Sequence, residues 1–134
     1  MKKYNNLLYW VTIGSMLLWF AYTKGWIFAN FESIDAKEAI SLLKTDTNIT
    51  LLDVRTPPEY QSGHLQNAQL IPLQVLSKNM HKLSKDRRKK ILVYCKSGNR
   101  SVAASRILKA SGFTPMNIKG GIIELEKTGI TLVK

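Results

Sequence analysis

Two short, largely apolar segments constrain the fold of this chain more than any other feature. Residues 49–54 and 91–94 are rich in Ile, Leu and Val, which is typical of strands buried on both faces. Residues at about 36–44 and 100–110 instead repeat apolar side chains at helical spacing. Strands that alternate with helices predict an α/β fold with a central parallel sheet flanked by helices.

Capping residues predict where several helices begin and end. Asp35 and Glu38 form a D-x-x-E variant of the capping box before the first helix of the domain. Thr56 followed by two prolines predicts an N-cap and a short helix near Tyr60, which Gly63 ends. The remaining patterns predict strands at 69–71 and 113–118, a helix over about 73–80, a short helix after residues 120–121 and a tail strand at 130–133.

The first thirty residues differ from the rest of the chain. Residues 4–23 carry no charge and are mostly apolar, and they follow a short basic head at residues 1–3. A helix of this length rises about 30 Å, which matches the hydrocarbon core of a bilayer. The sequence therefore predicts an N-terminal transmembrane anchor (or signal sequence) and linker over 1–29, and a single α/β domain over 30–134.

The choice between an anchor and a signal sequence depends on the cleavage site. The residues after the apolar run fit the small-residue cleavage pattern badly, which favours an uncleaved, single-pass anchor. Lys2 and Lys3 precede the run and Lys24 follows it, so the positive-inside rule leans towards an extracytoplasmic (periplasmic) domain. A domain that faces the cytoplasm is the alternative, because Lys37 and Lys44 also lie near the run.

Charge and cysteine content limit the classes of partner. The chain has 20 Lys and Arg against 9 Asp and Glu, a net charge of +11 that attracts small anions and anionic lipid surfaces. We predict no nucleic-acid partner, because the basic cluster at 82–90 lacks interleaved aromatics and accompanies no helix-turn-helix or zinc pattern. One cysteine and two histidines exclude an internal disulfide and make a structural metal site improbable, so we predict neither metal nor cofactor.

That one cysteine, Cys95, stands between a predicted buried strand and a predicted helix. Open α/β sheets bind ligands at the carboxyl ends of their strands, and a short loop there can turn its N–H groups inward to hold an anion. These amides and the charges of Lys96 and Arg100 should favour the thiolate of Cys95 over the thiol. The alternative is an inert core cysteine, since free cysteine is among the most buried residue types.

The residues around Cys95 form part of a larger pattern. Cys95, Gly98, Arg100 and Ser101 spell C-x-x-G-x-R-S, which resembles the active-site loop of single-domain rhodaneses. Three further blocks of that family follow the same order here, namely Asp53, Arg55, Glu59, Tyr60, Gly63 and His64, then Ile71 and Pro72, then Gly120 and Gly121. Four blocks in register over residues from about 34 to 129 are far more specific than one motif.

The resemblance implies a rhodanese-like fold and a thiosulfate sulfurtransferase activity. Cys95 would take a sulfane sulfur from thiosulfate or a persulfide and pass it to cyanide or a thiol. The loop amides would stabilise the persulfide and bind substrate, through Lys96, Ser97, Gly98, Asn99, Arg100 and Ser101. Because the chain has no second cysteine, the acceptor must be another molecule.

Some roles stay open at this stage. Arg100 could bond loop carbonyls or meet substrate, and Arg55 could contact substrate or join a polar cluster that includes an Arg55–Glu59 pair.

Four residues separate Cys95 from Arg100, one fewer than in the cysteine phosphatases that the rhodanese fold resembles, so the loop suits a single sulfur. The rival to an enzyme is a membrane-localised sulfur-carrier or partner-binding module with little turnover.

Overall fold

A computed structural model describes residues 2–134, with side chains from residue 6 onward. Its helices are α1 (Lys2–Thr23), α2 (Ala36–Thr45), α3 (Pro57–Ser62), α4 (Asn99–Ala110) and α5 (Gly121–Lys127). Its strands are β1 (Glu32–Ile34), β2 (Ile49–Asp53), β3 (Gln69–Leu70), β4 (Lys90–Tyr94) and β5 (Thr114–Ile118). The basic head at residues 1–3 lies outside the described side chains.

The strands form one parallel sheet in the order β1-β5-β4-β2-β3. The two strongest apolar segments, β2 and β4, are central neighbours, and their register pairs Ile49 with Lys90 and Asp53 with Tyr94. The residues that follow β2 and β4 therefore emerge side by side at the carboxyl edge of the sheet. This architecture confirms the predicted α/β fold with a central parallel sheet flanked by helices.

The side chains of β4 alternate between the two faces of the sheet, and this alternation determines the face on which Cys95 lies. Leu92 and Tyr94 pack into the apolar cluster on one face, with residues of α2 and α5. Ile91, Val93 and Cys95 point to the opposite face, where α4 packs. Because side chains alternate across a strand, Cys95 continues the α4-facing series one residue beyond the end of β4.

Two predicted elements differ from the structure, and one strand of the structure was not predicted. The predicted helix over about 73–80 consists of two 3-10 segments, Leu73–Val75 and Ser77–Asp86, interrupted by the non-helical backbone of Asn79. The predicted tail strand is one antiparallel bridge between His64 and Val133. Strand β1 was not predicted, because its three residues are too few to show a period of two.

Helix α1 forms where the apolar run predicted it, but the transmembrane anchor is not supported. Among the helices of residues 2–134, none combines the length and the apolar character that a bilayer crossing requires. In the middle of α1, the hydroxyls of Thr12 and Ser15 bond back to the main-chain carbonyls of Tyr9 and Val11.

Candidate active site

Cys95 is almost completely buried, at 1% exposure, within the apolar cluster that packs against α4, yet its sulfur has two polar contacts. The backbone N–H of Gly98 donates a hydrogen bond to its Sγ atom over 3.1 Å. Its thiol in turn donates to Oγ of the buried Ser101 at 3.5 Å, and that hydroxyl donates to the Gly98 carbonyl at 3.2 Å. The buried sulfur thus meets one amide donor and one hydroxyl.

The loop after Cys95 turns at Gly98, whose φ of 103° lies in the left-handed region that favours glycine. Helix α4 begins at the next residue, Asn99, so its positive N-terminal end lies behind the loop. The predicted loop residues therefore divide between a short turn, residues 96–98, and the first turn of α4, residues 99–101. The side chains of Lys96, Ser97 and Asn99 are exposed, whereas Gly98 and Ser101 are buried.

Helix α5 holds the other side of this loop. The N–H groups of Ile122 and Ile123 donate to the carbonyls of Cys95 and Lys96 at 2.8 and 3.2 Å. These bonds keep the negative ends of both peptide dipoles on the α5 side of the loop. Gly121 makes the approach possible, because a Cβ there would collide with the Cys95 carbonyl oxygen and lie 2.6 Å from that of Lys96.

Arg100 is held by a carboxylate from a different helix. Its Nη1 and Nη2 atoms contact Oε1 and Oε2 of Glu59 at 2.7 and 2.9 Å, a bidentate pair that joins α4 to α3. The predicted Arg55–Glu59 pair is therefore wrong, because Glu59 faces Arg100. The hydrogen bond from Arg100 lowers the pKa of Glu59 to about 2.

Arg55 has its own partner, the fully buried Asp53. Its Nη2 lies 2.7 Å from Asp53 Oδ2 and also donates to the Gly63 carbonyl at 2.7 Å, while its Nε contacts both oxygens of Asp53 at 3.0 Å. The guanidinium carbon lies 5.6 Å from the centre of the Tyr94 ring. These contacts hold Arg55 in place within the fold. Its contact with substrate stays a prediction.

Sequence patterns did not reveal the role of Tyr94, which precedes Cys95. Its hydroxyl accepts the Leu65 N–H at 3.1 Å inside the core. Burial, with the nearby charge of Asp53, raises the pKa of Tyr94, so the phenol stays neutral. His64 bonds the backbone, with Nδ1 2.8 Å from the Tyr60 carbonyl oxygen.

The Glu59–Arg100 pair leads to a pH-dependent prediction. Because the folded-state pKa of Glu59, about 2, is below its ordinary value of 4.5, its ionised form stabilises the fold above about pH 4.5. This contribution is lost as the pH falls towards 2. We expect Glu59→Gln to cost about 1–2 kcal/mol at pH 7, after screening of this partly exposed pair, and little near pH 2.

Urea unfolding at a series of pH values measures this difference. Glu126→Gln is the matched control, because Glu126 is exposed and forms no ion pair with any described residue. A cost for Glu59→Gln that does not change between pH 7 and pH 2 would contradict the assignment.

The fold is a parallel α/β domain, and its candidate active site is a cysteine at the junction between a strand and a helix. The sequence profile of the rhodanese-like domain matches residues 35–128. This chain belongs to the rhodanese-like domain family.

Members of that family with different described activities are similar to this chain. A sulfurtransferase of Allochromatium vinosum is 32% identical over 101 residues, which cover 75% of this chain and 92% of the relative. A tRNA uridine(34) hydroxylase of Citrobacter koseri is 34% identical over 105 residues, which cover 71% of this chain but only 30% of that relative. Among solved structures, a rhodanese-related protein from Thermoplasma volcanium superposes with a TM-score of 0.70 at 34% identity, covering 77% of this chain and 98% of that one. The Allochromatium vinosum relative, which this chain covers almost in full, supports a sulfurtransferase of the rhodanese-like family.

Proposed function

We propose that this chain is a sulfurtransferase that carries a sulfane sulfur as a persulfide on Cys95. The observation that carries this proposal is the Gly98 N–H directed at Cys95 Sγ, at 3.1 Å, in a loop that the N-terminus of α4 backs. Amide donors and a helix N-terminus favour negative charge, and both the thiolate and the persulfide are anions. The amides of the loop and the exposed Lys96 would then bind the anionic donor.

The transfer has two steps, with thiosulfate or a persulfide as the donor. The Cys95 thiolate attacks the outer sulfur of thiosulfate, the sulfur–sulfur bond breaks, and sulfite leaves with the electron pair. Cyanide or a thiolate then attacks the outer sulfur of the persulfide and releases the Cys95 thiolate. Because Cys95 is the only cysteine, this second nucleophile comes from another molecule.

The mass of the intact chain tests the proposal directly. After treatment with thiosulfate, we expect the wild-type chain to gain about 32 Da, the mass of one sulfur atom, and to form thiocyanate when cyanide follows. Cys95→Ser replaces the sulfur atom with oxygen and should abolish both the mass gain and the formation of thiocyanate. Circular dichroism of the variant controls for folding. Wild-type protein that gains no sulfur from thiosulfate or from a small persulfide would contradict the proposal.

The low exposure of Cys95 favours one second candidate, a sulfur-carrier or partner-binding module with little turnover. Such a module would acquire the added sulfur in full but would release it slowly to cyanide or to small thiols. The same mass measurement, repeated after the acceptor is added, separates the two candidates. Attachment to a membrane, with the domain on the extracytoplasmic side, stays a prediction from the apolar run and its flanking charges.

A further inference from the structure

A cavity of about 400 Å³ lies between the linker that follows α1, residues 24–31, and the neighbouring strands β1 and β5. Pockets of about 300–1,000 Å³ are typical of sites for small organic molecules. Cys95 is not among the lining residues, so this cavity is separate from the candidate active site. Its lining includes Lys24, Trp26 and Phe31 of the linker, Ser33 of β1, Asn117 of β5, and Lys119, which follows β5.

The cap at the end of α1 fixes the linker wall of the cavity. Gly25 has a φ of 74°, and its N–H donates to the Tyr22 carbonyl at 3.1 Å. The N–H of Trp26 donates to the Ala21 carbonyl at 3.0 Å, which completes a Schellman motif. The Trp26 ring packs edge-on against the Phe20 ring, with the ring centres 5.7 Å apart, yet 71% of Trp26 stays exposed. Trp26 is thus held in place while its ring surface remains open to a ligand.

The strand wall of the cavity presents hydrogen-bond donors. Ser33 and Asn117 are register partners in β1 and β5, and Nδ2 of Asn117 donates to Oγ of Ser33 at 3.3 Å. No described residue accepts the hydrogen of the Ser33 hydroxyl, so this group can donate into the cavity. Lys119 is fixed beside β1, because its N–H donates to the Ile34 carbonyl at 2.8 Å. This wall therefore offers a hydroxyl donor and an ammonium group.

The two lysines give the cavity a positive charge that no neighbouring carboxylate neutralises. Neither Lys24 nor Lys119 forms an ion pair with a described residue, and none of the described lining residues is acidic. Lys119 is exposed and Lys24 is half-buried, so a ligand can reach both ammonium groups. Two cations match a dianion, and a phosphate monoester carries a charge of about −1.5 to −2 at pH 7. The nearby aromatic ring of Trp26 suits a planar heterocycle, which stacks on such rings.

We propose that this cavity binds a small organic phosphate with a planar ring, of which a nucleoside monophosphate is the simplest case. The phosphate lies between Lys24 and Lys119 and accepts the hydrogen of the Ser33 hydroxyl. The ring of the ligand lies against Trp26. This site is additional to the proposed sulfur transfer, since binding makes and breaks no covalent bond and does not involve Cys95.

Calorimetric titration of the full chain with adenosine 5′-monophosphate tests the site. We expect Lys119→Ala to weaken binding on the order of tenfold, because it removes a hydrogen bond between charged groups. Lys109→Ala is the matched control, because Lys109 is exposed, carries the same charge and does not line the cavity. In about 0.1 M salt, which screens distant charges, this control should change binding by less than about twofold. Lys24→Ala repeats the test from the opposite wall.

The contribution of the ring has its own pair of variants. Trp26→Ala should weaken binding roughly tenfold through lost stacking. Trp10→Ala is its control, because Trp10 is 66% exposed, similar to the 71% of Trp26, and does not line the cavity. Adenosine, which lacks the phosphate, and inorganic phosphate, which lacks the ring, should each bind at least about tenfold more weakly than the monophosphate.

Equal weakening by Lys119→Ala and Lys109→Ala would show that the nucleotide follows the net charge of the chain, and would overturn the proposal. Absence of binding to the wild-type chain would overturn it as well. Inorganic phosphate that binds as tightly as the monophosphate, or a Trp26→Ala variant that behaves like Trp10→Ala, would contradict the planar ring. Circular dichroism of each variant controls for folding.

Discussion

Arg55→Ala is expected to lower the free energy of unfolding by about 3–5 kcal/mol, the usual cost of removing one partner from a buried ion pair. Asp53 is fully buried, and three of its contacts come from the Arg55 guanidinium, the shortest at 2.7 Å. Without that cation, Asp53 must either stay ionised in the core or take up a proton. The variant also frees the Gly63 carbonyl, which Arg55 contacts. For a domain of about one hundred residues, such a loss approaches the whole stability.

Chemical denaturation of both proteins at pH 7 measures this cost. Lys127→Ala is the matched control, because the Lys127–Glu124 pair has the same 2.7 Å separation but is exposed to solvent. We expect that control to change stability by less than about 1 kcal/mol, as exposed ion pairs contribute little. An equal loss of unfolding free energy in both variants would show that burial does not set how much the Asp53–Arg55 pair stabilises the fold.

Gly121→Ala is expected to cost about 2–5 kcal/mol and to slow persulfide formation on Cys95. Two penalties combine at this position. Gly121 has a φ of 58°, and its new methyl group would collide with the Cys95 carbonyl oxygen, which no flexible side chain can relieve. The loop or α5 must therefore shift, and the bond from the Ile122 N–H to the Cys95 carbonyl lengthens or breaks.

Gly129→Ala separates the two penalties, because Gly129 also has a positive φ, of 85°, but a Cβ there meets nothing within 4 Å. It should show only the conformational cost, about 1–2 kcal/mol, with normal sulfur loading. The measurements are denaturation and the rate of mass gain with thiosulfate. Equal behaviour of the two alanine variants would show that α5 does not shape the active-site loop.

Local signals predicted the ends of helices well. Asp35 caps α2 by accepting the Glu38 N–H, and Thr56 caps α3 in a capping box with Glu59. Gly63 ends α3, as predicted. Such caps involve residues three or four positions apart, so the chain carries the whole interaction within one short segment.

Charged pairs were harder to predict, because their partners are distant in sequence. An Arg55–Glu59 pair within a polar cluster was one interpretation of the sequence, yet Glu59 binds Arg100, 41 positions away. The register of β2 against β4 puts α3 next to the start of α4, and only that placement brings the two side chains together. The role of Gly121 was hidden for the same reason, since its contacts are the carbonyls of a loop after another strand.

The amino-acid sequence alone determined the α/β class, most helix ends and the position of Cys95 between a strand and a helix, because these depend on periodicity and on contacts within a few residues. The tertiary structure decided the partners of Arg55, Glu59 and Arg100 and the support of the Cys95 loop by α5. Each of these joins segments that lie far apart in the chain. Their meeting depends on strand order and register, which no local pattern specifies.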